Sequence, residues 1–476
     1  MKTIINKNTG NERVIAESAE ELLEKSGKTD LKKFKKKIKD WLYVEDEEVL
    51  EIVLASVISE RLGGDPVWLF LIAPPGGSKT ELLRSFDGEY SHHLSDMTSR
   101  TLISGLMIGT GEKRRKIEDL LPHIDGKVLI FKDFTTILEK GRDERREIIS
   151  QFREAYDGSL AKKVGTVDKT ITHKSRFGLI AGVTPIIDKH WKILQQLGER
   201  FLKVRWVQDV DKSTKKAFEN EGKEVNMRKE LVSNSNSFIK SLDFSKIPIF
   251  PEKFEGDIFE IAKFVSIART PISIQANREE FYFDYIPMPE VPTRLVKQFK
   301  KMARCLALVR GKEEVDLEDI RTVLRVAKDT IPPDRMAILE AIRANSNSEI
   351  GCSRAELEEV IKIPNSSIRL IIEQLKMLEL VSEFKDYYGI KVFYRLSAIS
   401  PNIFCNLQQK LGDSVLERPI SAITYVSLTN KEIPLPNGSM IPVSGTTIPY
   451  DFTEKESKLF LDEKLMIKSG TEVNLT

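Results

Sequence analysis

The chain has 476 residues, enough for roughly two to four domains of ordinary size. Its 74 Lys and Arg residues nearly balance 72 Asp and Glu residues, so the formal net charge is only +2. The overall charge therefore identifies no partner, and any nucleic-acid surface must come from local clusters of basic residues.

The cysteines and the apolar runs bear on where the protein works. Cys305, Cys352 and Cys405 form no CxxC pair, which argues against a zinc module and against a disulfide framework. The sequence begins without an apolar leader, and it contains no run of about 18 apolar residues. We therefore expect a cytoplasmic protein without a membrane span.

Residues 1–60 are predicted to be a helical segment. Within it, DLKKFKKKIKDWLYV is typical of a basic amphipathic helix, and DEEVLEIVLASVISERLG is typical of an apolar helix. The basic helix carries Lys32, Lys33, Lys35, Lys36, Lys37 and Lys39. These lysines either contact phosphates or form the solvated face of a packed helix, and the sequence leaves both alternatives open.

Residues 61–245 are predicted to form an α/β core. Short apolar runs alternate here with helical stretches, and the runs are VWLFLIA, KVLIFKDF, FGLIAGVTP and FLKVRWV. Apolar runs that are separated by helices indicate a parallel sheet that is buried on both faces. This pattern is typical of nucleotide-binding domains.

The first of these runs leads into IAPPGGSKT, residues 72–80, which is close to a phosphate-binding loop. In such a loop, backbone N–H groups surround the phosphates, a lysine reaches the β- and γ-phosphates, and a Ser or Thr hydroxyl binds Mg²⁺. Serine replaces the glycine before the lysine, and its Cβ can crowd the phosphates. The predicted ATP-binding residues are Gly76, Gly77, Ser78, Lys79 and Thr80.

A phosphate-binding loop also needs a carboxylate at the end of a neighbouring strand. The run KVLIFKDFTTIL supplies Asp133 at this place. In one alignment Asp133 is the catalytic base and Lys132 stands where the Mg²⁺-binding acid is usual. In the other alignment, shifted by one residue, Asp133 binds Mg²⁺ together with Thr80.

The remaining chain divides into three predicted segments. Residues 246–332 contain two helices around the GKEEVDLED turn and are predicted to be a small helical lid. Residues 333–397 form a unit with the pattern of a winged helix. Residues 398–476 form a C-terminal extension rich in Pro, Gly and Ser, to which the sequence assigns no role.

The winged-helix prediction rests on three helices followed by two strands. Its second helix begins with a capping box from Ser353 to Glu356, and its third helix has apolar residues at helical spacing. The third helix of such a domain enters the DNA major groove by its first residues. The predicted DNA contacts are therefore Ser366, Ser367 and Arg369, with Lys385 in the wing. A protein-binding role is the alternative.

The order of these features resembles the hexameric AAA+ ATPases, and within them the minichromosome-maintenance-like helicases. The resemblance covers roughly residues 45–397. After the acidic strand, FREAYDGSLAKKVGT is similar to the helix and β-hairpin that carry basic residues into that family's central pore. The resemblance implies that Lys162, Lys163 and Lys169 contact DNA phosphates, and solvated hairpin lysines are the alternative.

The resemblance also implies three further catalytic residues. RFGLIAGVTP is similar to the sensor-1 strand, with Thr184 at its polar end. LQQLGERFLKVRW resembles the segment that carries an arginine finger, which makes Arg200 the residue that reaches the nucleotide of a neighbouring subunit. VPTRLVKQFKK resembles the start of the lid, with Arg294 at the sensor-2 position.

Together these features predict a hexameric, DNA-dependent ATPase that uses ATP and Mg²⁺. The resemblance implies a DNA helicase or translocase in the replication of a mobile or viral element. Two alternatives remain open from the sequence: an ATP-switched DNA-binding regulator or scaffold that hydrolyses ATP weakly, and an AAA+ remodeller of protein partners.

Overall fold

The structure is a computed structural model that describes most of the chain. The described residues are 2–5, 12–15, 31–76, 78–104, 107–108, 115–116, 118–164, 169–190, 200–276, 281–283, 285–344, 351–385, 392–397, 433–434 and 440–441. The chain divides into two compact units. The first unit is Met1–Ser273 with Ile286–Pro332, and the second is Ile274–Tyr285 with Pro333–Thr476.

The first unit contains most of the described strands and helices. Its strands are β1 (Lys2–Ile5), β2 (Glu12–Ile15), β3 (Trp68–Ile72), β4 (Ser91–Leu94), β5 (Met107–Ile108), β6 (Arg115–Lys116), β7 (Val128–Phe131), β8 (Ser159–Val164), β9 (Lys169–Lys174), β10 (Gly178–Val183) and β11 (Phe201–Arg205). Its helices are α1 (Leu31–Trp41), α2 (Glu48–Ile58), α3 (Lys79–Arg84), α4 (Leu121–Ile124), α5 (Thr135–Leu138), α6 (Arg142–Tyr156), α7 (Val210–Glu219), α8 (Glu224–Ser241), α9 (Glu255–Ala268), α10 (Thr293–Val309) and α11 (Leu317–Thr330).

A five-stranded parallel sheet forms the centre of the first unit, and its strand order is β11-β3-β10-β7-β4. Every residue of β3 and of β10 is buried, because helices cover both faces of the sheet. Each of the four apolar runs contains one strand of this sheet. The predicted α/β class with a parallel sheet flanked by helices is therefore confirmed.

Aromatic side chains fill one face of the sheet. The rings of Phe70 and Phe201 stack with their centroids 3.9 Å apart, and Trp68 stacks on Phe177 at 5.4 Å. The indole N–H of Trp68 donates to the Phe177 carbonyl at 2.9 Å, so its polar atom is satisfied inside the core. This packing holds the strands in register and fixes where they end.

The N-terminal part differs from the helical prediction. Strands β1 and β2 pair antiparallel at 2–5 and 12–15, before the two predicted helices α1 and α2. Alternating apolar residues over only four positions give a weak sequence signal.

The basic helix α1 is largely neutralised within the chain. Lys35 pairs with Glu51, Lys37 with Glu230 at 2.5 Å and Lys39 with Glu47 at 2.5 Å. These contacts favour the packed, solvated face over a phosphate-binding surface.

The segment STKKAFENEGKEVN forms most of α7 and the start of α8. Helix α7 has no buried residue, whereas α8 buries Met227, Leu231 and Phe238. The segment is therefore exposed but regular, and helix α8 anchors it to the first unit.

The two helices predicted as a lid are present as α10 and α11. Asp316 caps α11 by accepting from the backbone N–H groups of Glu318 and Asp319. Helix α10 packs on α2, and α11 packs along the edge strand β11. The Thr330 hydroxyl accepts from the backbone N–H of Lys203 at 3.0 Å, so α11 satisfies part of that open sheet edge.

The second unit contains a small helical and β assembly. Its helices are α12 (Pro333–Ala344), α13 (Arg354–Ile361) and α14 (Asn365–Met377), and its strands are β12 (Ile274–Ala276), β13 (Phe281–Phe283), β14 (Cys352–Ser353), β15 (Val381–Lys385), β16 (Val392–Leu396), β17 (Ile433–Pro434) and β18 (Met440–Ile441). The three helices pack together, and β14, β16 and β15 form an antiparallel sheet.

Two local predictions for the second unit are confirmed. The capping box of α13 is present, with the Ser353 N–H donating to Glu356 at 2.7 Å. The predicted apolar face of α14 is buried, and it comprises Ile368, Ile371, Ile372, Leu375 and Leu378. Most of the C-terminal extension, 398–476, and the wing turn at 386–391 lie outside the described residues.

No helix within the described ranges is long and apolar enough to cross a membrane.

Candidate nucleotide site

A cavity lies at the carboxyl edge of the sheet. Strands β3, β10 and β7 are neighbours and parallel, so the loops that follow them emerge side by side. The cavity has a volume of about 480 Å³, within the usual range for small-molecule sites. Residues that follow all three strands line it, and they are Gly76, Ser78, Lys79, Thr80, Asp133 and Thr184.

The loop after β3 turns back through two residues with positive φ. Gly76 has φ 77°, and Ser78, which precedes α3, has φ 44° and ψ −2°. Serine thus adopts the left-handed conformation that glycine adopts without strain. Gly77, the remaining predicted loop residue, lies outside the described residues. The substitution at Ser78 has preserved the turn and imposes a local backbone cost.

We expect Ser78→Gly to strengthen nucleotide binding. A serine in the left-handed region costs about 1–2 kcal/mol, while the extra freedom of glycine in the unfolded chain costs about 0.5–1 kcal/mol. The free energy of unfolding should therefore rise by at most about 1.5 kcal/mol, while removal of the Cβ opens the phosphate side of the loop. Titration calorimetry with ATP and a denaturant unfolding curve measure the two effects. Weaker binding by the glycine variant would contradict this account.

Lys79 is the buried cation of the site. Its side chain is only 7% exposed, and its ammonium donates to the Ala73 carbonyl at 3.3 Å. Burial lowers the pKa of Lys79, and the nearby Asp133 carboxylate opposes this shift. A poorly hydrated ammonium beside a loop of backbone N–H groups is suited to bind an anion.

Asp133 and Thr184 are connected through Thr135. The Asp133 carboxylate is exposed and accepts from the backbone N–H of Thr135 at 2.9 Å, at the start of α5. The hydroxyls of Thr135 and Thr184 lie 3.4 Å apart. Thr184 therefore stands at the end of β10 with a hydroxyl partner on the neighbouring loop. Both alternatives for Asp133, base and Mg²⁺ ligand, are compatible with this position.

Gly182 is a functional position that the sequence reasoning missed. A Cβ added at Gly182 would lie 2.7 Å from the Lys132 carbonyl, 3.0 Å from Leu83 and 3.2 Å from the Lys79 side chain. Its carbonyl also accepts from the backbone N–H of Phe134 at 2.7 Å. Glycine therefore lets the loops that carry Lys79 and Asp133 approach β10. The glycine before the Val-Thr pair in RFGLIAGVTP is the only sequence signal.

We expect Gly182→Ala to weaken ATP binding and to destabilise the fold. The clash with a backbone carbonyl cannot be relieved by a side-chain rotation, so overpacking should cost about 1–3 kcal/mol. Gly141→Ala is the control, because a Cβ added there meets nothing within 4 Å. Thermal unfolding with and without ATP measures both effects. Equal melting temperatures of the two variants, with equal shifts on adding ATP, would refute the packing argument.

The far wall of the cavity comes from parts of the chain that are distant in sequence. Trp41 ends α1, Leu42 and Tyr43 follow it, and Ala217 and Met227 come from α7 and α8. The Asn220 side chain donates to the Trp41 carbonyl at 2.5 Å and ties α7 to this wall. The apolar residues of this wall suit the base of a nucleotide, and Lys216, Glu224 and Arg228 add charged groups to the same side of the lining.

Arg200 and Arg294 do not line this cavity. Arg200 precedes β11, so it stands at the amino edge of the sheet, opposite the cavity. It is 7% exposed, donates to Asp157 at 3.0 Å and lies 5.5 Å from the centre of the Tyr156 ring. Arg294 lies 5.9 Å from the same ring and 3.7 Å from the Glu290 carboxylate. Burial, and then the charge of Arg294, lowers the pKa of Arg200.

The predicted hairpin is present as β8 and β9, but its lysines differ from one another. Lys162 donates to the Ser99 carbonyl at 2.8 Å and to Glu147 at 3.1 Å, so it is engaged within the chain. Lys163 is exposed. Lys169 begins β9, and its side chain lies outside the described residues.

In the second unit, Ser366 and Lys385 are exposed, and Ser367 and Arg369 are half-buried. The two serines and Arg369 lie in the first turns of α14, while Lys385 ends β15. The predicted DNA contacts of this unit are thus accessible at the start of one helix and at the end of one strand.

The fold and the cavity together are compatible with a nucleotide-binding core of the phosphate-loop class. Comparison with known proteins adds no assignment, because no protein-family model matches the sequence and no curated protein matches it significantly.

Proposed function

We propose that the protein is an AAA+ ATPase that binds ATP with Mg²⁺ and acts on DNA as a minichromosome-maintenance-like helicase or translocase. The observation that carries the proposal is the cavity at the carboxyl edge of the parallel sheet. It brings Lys79 and Thr80 of the loop, Asp133 after β7 and Thr184 after β10 into one lining. Replication of a mobile or viral element is the setting that the resemblance implies.

The cavity residues fit the binding of ATP with Mg²⁺. Thr80 and Asp133 supply oxygen donors in the same cavity. Among the described residues, no group of three or more His, Cys, Asp and Glu side chains is placed to hold a metal ion. Mg²⁺ usually takes one or two protein ligands and completes its shell with phosphates and water, so the two oxygen donors of Thr80 and Asp133 would be enough to hold it. Bound Mg²⁺ would neutralise charge on the phosphates, while Lys79 reaches the same phosphates and Asp133 or Thr184 orients the attacking water.

The positions of Arg200 and Arg294 support action between subunits. Both lie on the side of the sheet opposite the cavity, and both are close to Tyr156. Within one chain they are therefore separated from the bound nucleotide by the length of the sheet. In a hexameric ring built from head-to-tail contacts, this edge would face the cavity of the next subunit. Arg200 would then stabilise the transition-state charge, and Arg294 would assist it.

DNA binding is assigned to two places. Lys163, and Lys169 opposite Val164 on the paired strand, would contact the phosphate backbone from the β8–β9 hairpin. The unit of α12, α13, α14 and the β14–β16 sheet has the helix and strand order of a winged helix, and Ser366, Ser367, Arg369 and Lys385 would contact DNA there. Helices α10 and α11 take the place of the AAA+ lid in chain order.

One observation favours a second function, an ATP-switched DNA-binding regulator or scaffold. Asp133 is the only acid directly after β7, and its carboxylate already accepts from the Thr135 backbone. A single engaged carboxylate suits nucleotide binding better than rapid hydrolysis.

The proposal is tested by the steady-state ATPase rate of the full chain without DNA, with single-stranded DNA and with duplex DNA. A rate that rises with DNA supports the motor. ATP binding without hydrolysis on any DNA overturns the motor function and leaves the ATP-switched regulator. An ATPase rate that DNA does not change points to a remodeller of protein partners.

A further inference from the structure

Arg228 is a cation of the cavity to which neither the sequence motifs nor the resemblance assigns a role. It lies in α8, and among the described residues it is the one arginine in the cavity lining. Its guanidinium is nearly half exposed, at 45%, and donates to both carboxylate oxygens of Glu81 at 2.9 Å. Glu81 follows Thr80 directly, in the first turn of α3. Arg228 is thus held beside the phosphate-binding loop by a residue of that loop's own helix.

Glu81 has a second cationic partner besides Arg228. Glu81 also accepts from Arg84 at 2.7 Å, so its carboxylate keeps one cationic partner when Arg228 leaves. Arg84, in contrast to Arg228, is not part of the described lining. Glu81 is therefore a site where a guanidinium can be held next to the cavity and released at small cost.

Competition between the two possible partners of Arg228 favours a phosphate. An ion pair that is open to solvent contributes little free energy, because water screens it. Guanidinium contacts with carboxylates and with phosphates are both charge-assisted and often bidentate, so the type of contact does not decide between the two partners. A nucleotide phosphate chain in this cavity carries more negative charge than the single Glu81 carboxylate.

We propose that Arg228 is a phosphate-binding residue that leaves Glu81 and contacts the phosphate chain of the bound nucleotide. This inference rests on the proposed nucleotide site and extends it to helix α8. Arg228 follows Met227, which belongs to the apolar wall proposed to bind the base. Arg228 would therefore contact the phosphate that is nearest the base. Nucleotide binding would thereby pull α8, and α7 before it, towards the loop.

The test compares the affinities of Arg228→Ala and Arg84→Ala for ADP, ATP and adenosine by titration calorimetry. Arg228→Ala should lose about tenfold to a hundredfold in affinity for ADP and ATP and keep its affinity for adenosine, because charged hydrogen bonds to phosphate are lost. Arg84→Ala, which removes the partner that Glu81 keeps when Arg228 leaves, should lower the affinity for ADP and ATP by a smaller factor than Arg228→Ala does and leave adenosine binding unchanged. Equal affinities of Arg228→Ala and the parent for ADP would overturn the inference.

Glu81→Gln is the second variant, and its expected effect is opposite. Removing the competing carboxylate should raise the affinity for ADP, and this gain should vanish when Arg228→Ala is added. A loss of affinity in Glu81→Gln would show that the ion pair only positions α3, which also overturns the inference. The proposed function has a separate outcome, since it fails when the parent protein itself binds neither ADP nor ATP.

Discussion

Lys79→Met should abolish ATP binding while leaving the protein folded. The ammonium lies in the cavity and is almost completely buried, and its pKa is lowered by burial. Loss of one cation with two charged hydrogen bonds to phosphates should cost about 3 kcal/mol or more, which is at least about a hundredfold in affinity. Titration calorimetry with ATP and Mg²⁺ measures this loss directly.

The stability of the same variant separates a binding role from a structural one. Because the folded-state pKa of Lys79 is below its unfolded value, the unfolded chain holds this proton more tightly. The charged form therefore destabilises the fold at neutral pH, and this penalty fades as the pH rises through the folded pKa. Lys79→Met removes the penalty and should keep or raise the melting temperature.

Lys132→Met is the matched control, since Lys132 precedes Asp133 but is not part of the described cavity lining. It should bind ATP like the parent protein. Equal losses in both variants would mean that general positive charge at this edge, rather than the position of Lys79, binds the nucleotide.

Much of the core was predictable because its signals are local. The buried parallel strands are continuous apolar runs, and the helix start at Ser353 has a capping box that needs only four neighbouring residues. The loop residues Lys79 and Thr80 were predictable for the same reason, since the strand and helix on either side place them. Asp133 and Thr184 followed from their positions directly after buried strands.

The remaining parts of the site depend on contacts between distant residues. In the apolar wall, Asn220 donates to the Trp41 carbonyl, 179 residues away in sequence, and neither residue carries a motif. Gly182 is needed because two separate segments, α3 and the turn after β7, approach one Cα. Arg228 meets Glu81 only after α8 packs beside α3. Pairings of this kind follow from the tertiary fold, so a pattern read along one segment could not reveal them.

The helices of the predicted lid contribute no residue to the described lining of the cavity. The sequence places a lid in 246–332, yet the cavity is bordered by α7 and α8, which precede that segment. The two predicted lid helices instead cover α2 and the edge strand β11. The amphipathic pattern of these helices predicts that one face is buried, but it does not predict which surface of the protein that face packs against.

Arg200→Lys should leave ATP binding intact and abolish hydrolysis. Arg200 stands opposite the cavity of its own chain, so its loss should not change the affinity of that chain for ATP. An arginine that acts between subunits contributes about a thousandfold or more to the rate, and lysine cannot reproduce its planar, bidentate contacts with phosphate. The measurement is the DNA-stimulated ATPase rate beside the ATP dissociation constant.

Asp157→Asn provides the control for a structural role. It weakens the ion pair of Arg200 at 3.0 Å but keeps the guanidinium and its contact with the Tyr156 ring. If Arg200 only stabilises the fold through Asp157, both variants should lose melting temperature and activity together. If Arg200 acts on a nucleotide, Asp157→Asn should retain hydrolysis.

Mixing two inactive variants tests the contact between subunits itself. Lys79→Met keeps Arg200 but binds no ATP, and Arg200→Lys binds ATP but lacks the guanidinium. In a ring with head-to-tail interfaces, random assembly should place the two intact residues together at about a quarter of the interfaces. An equimolar mixture should therefore regain part of the ATPase rate. A mixture as inactive as its components, with oligomers shown to exchange subunits, would mean that Arg200 does not act on a neighbouring nucleotide.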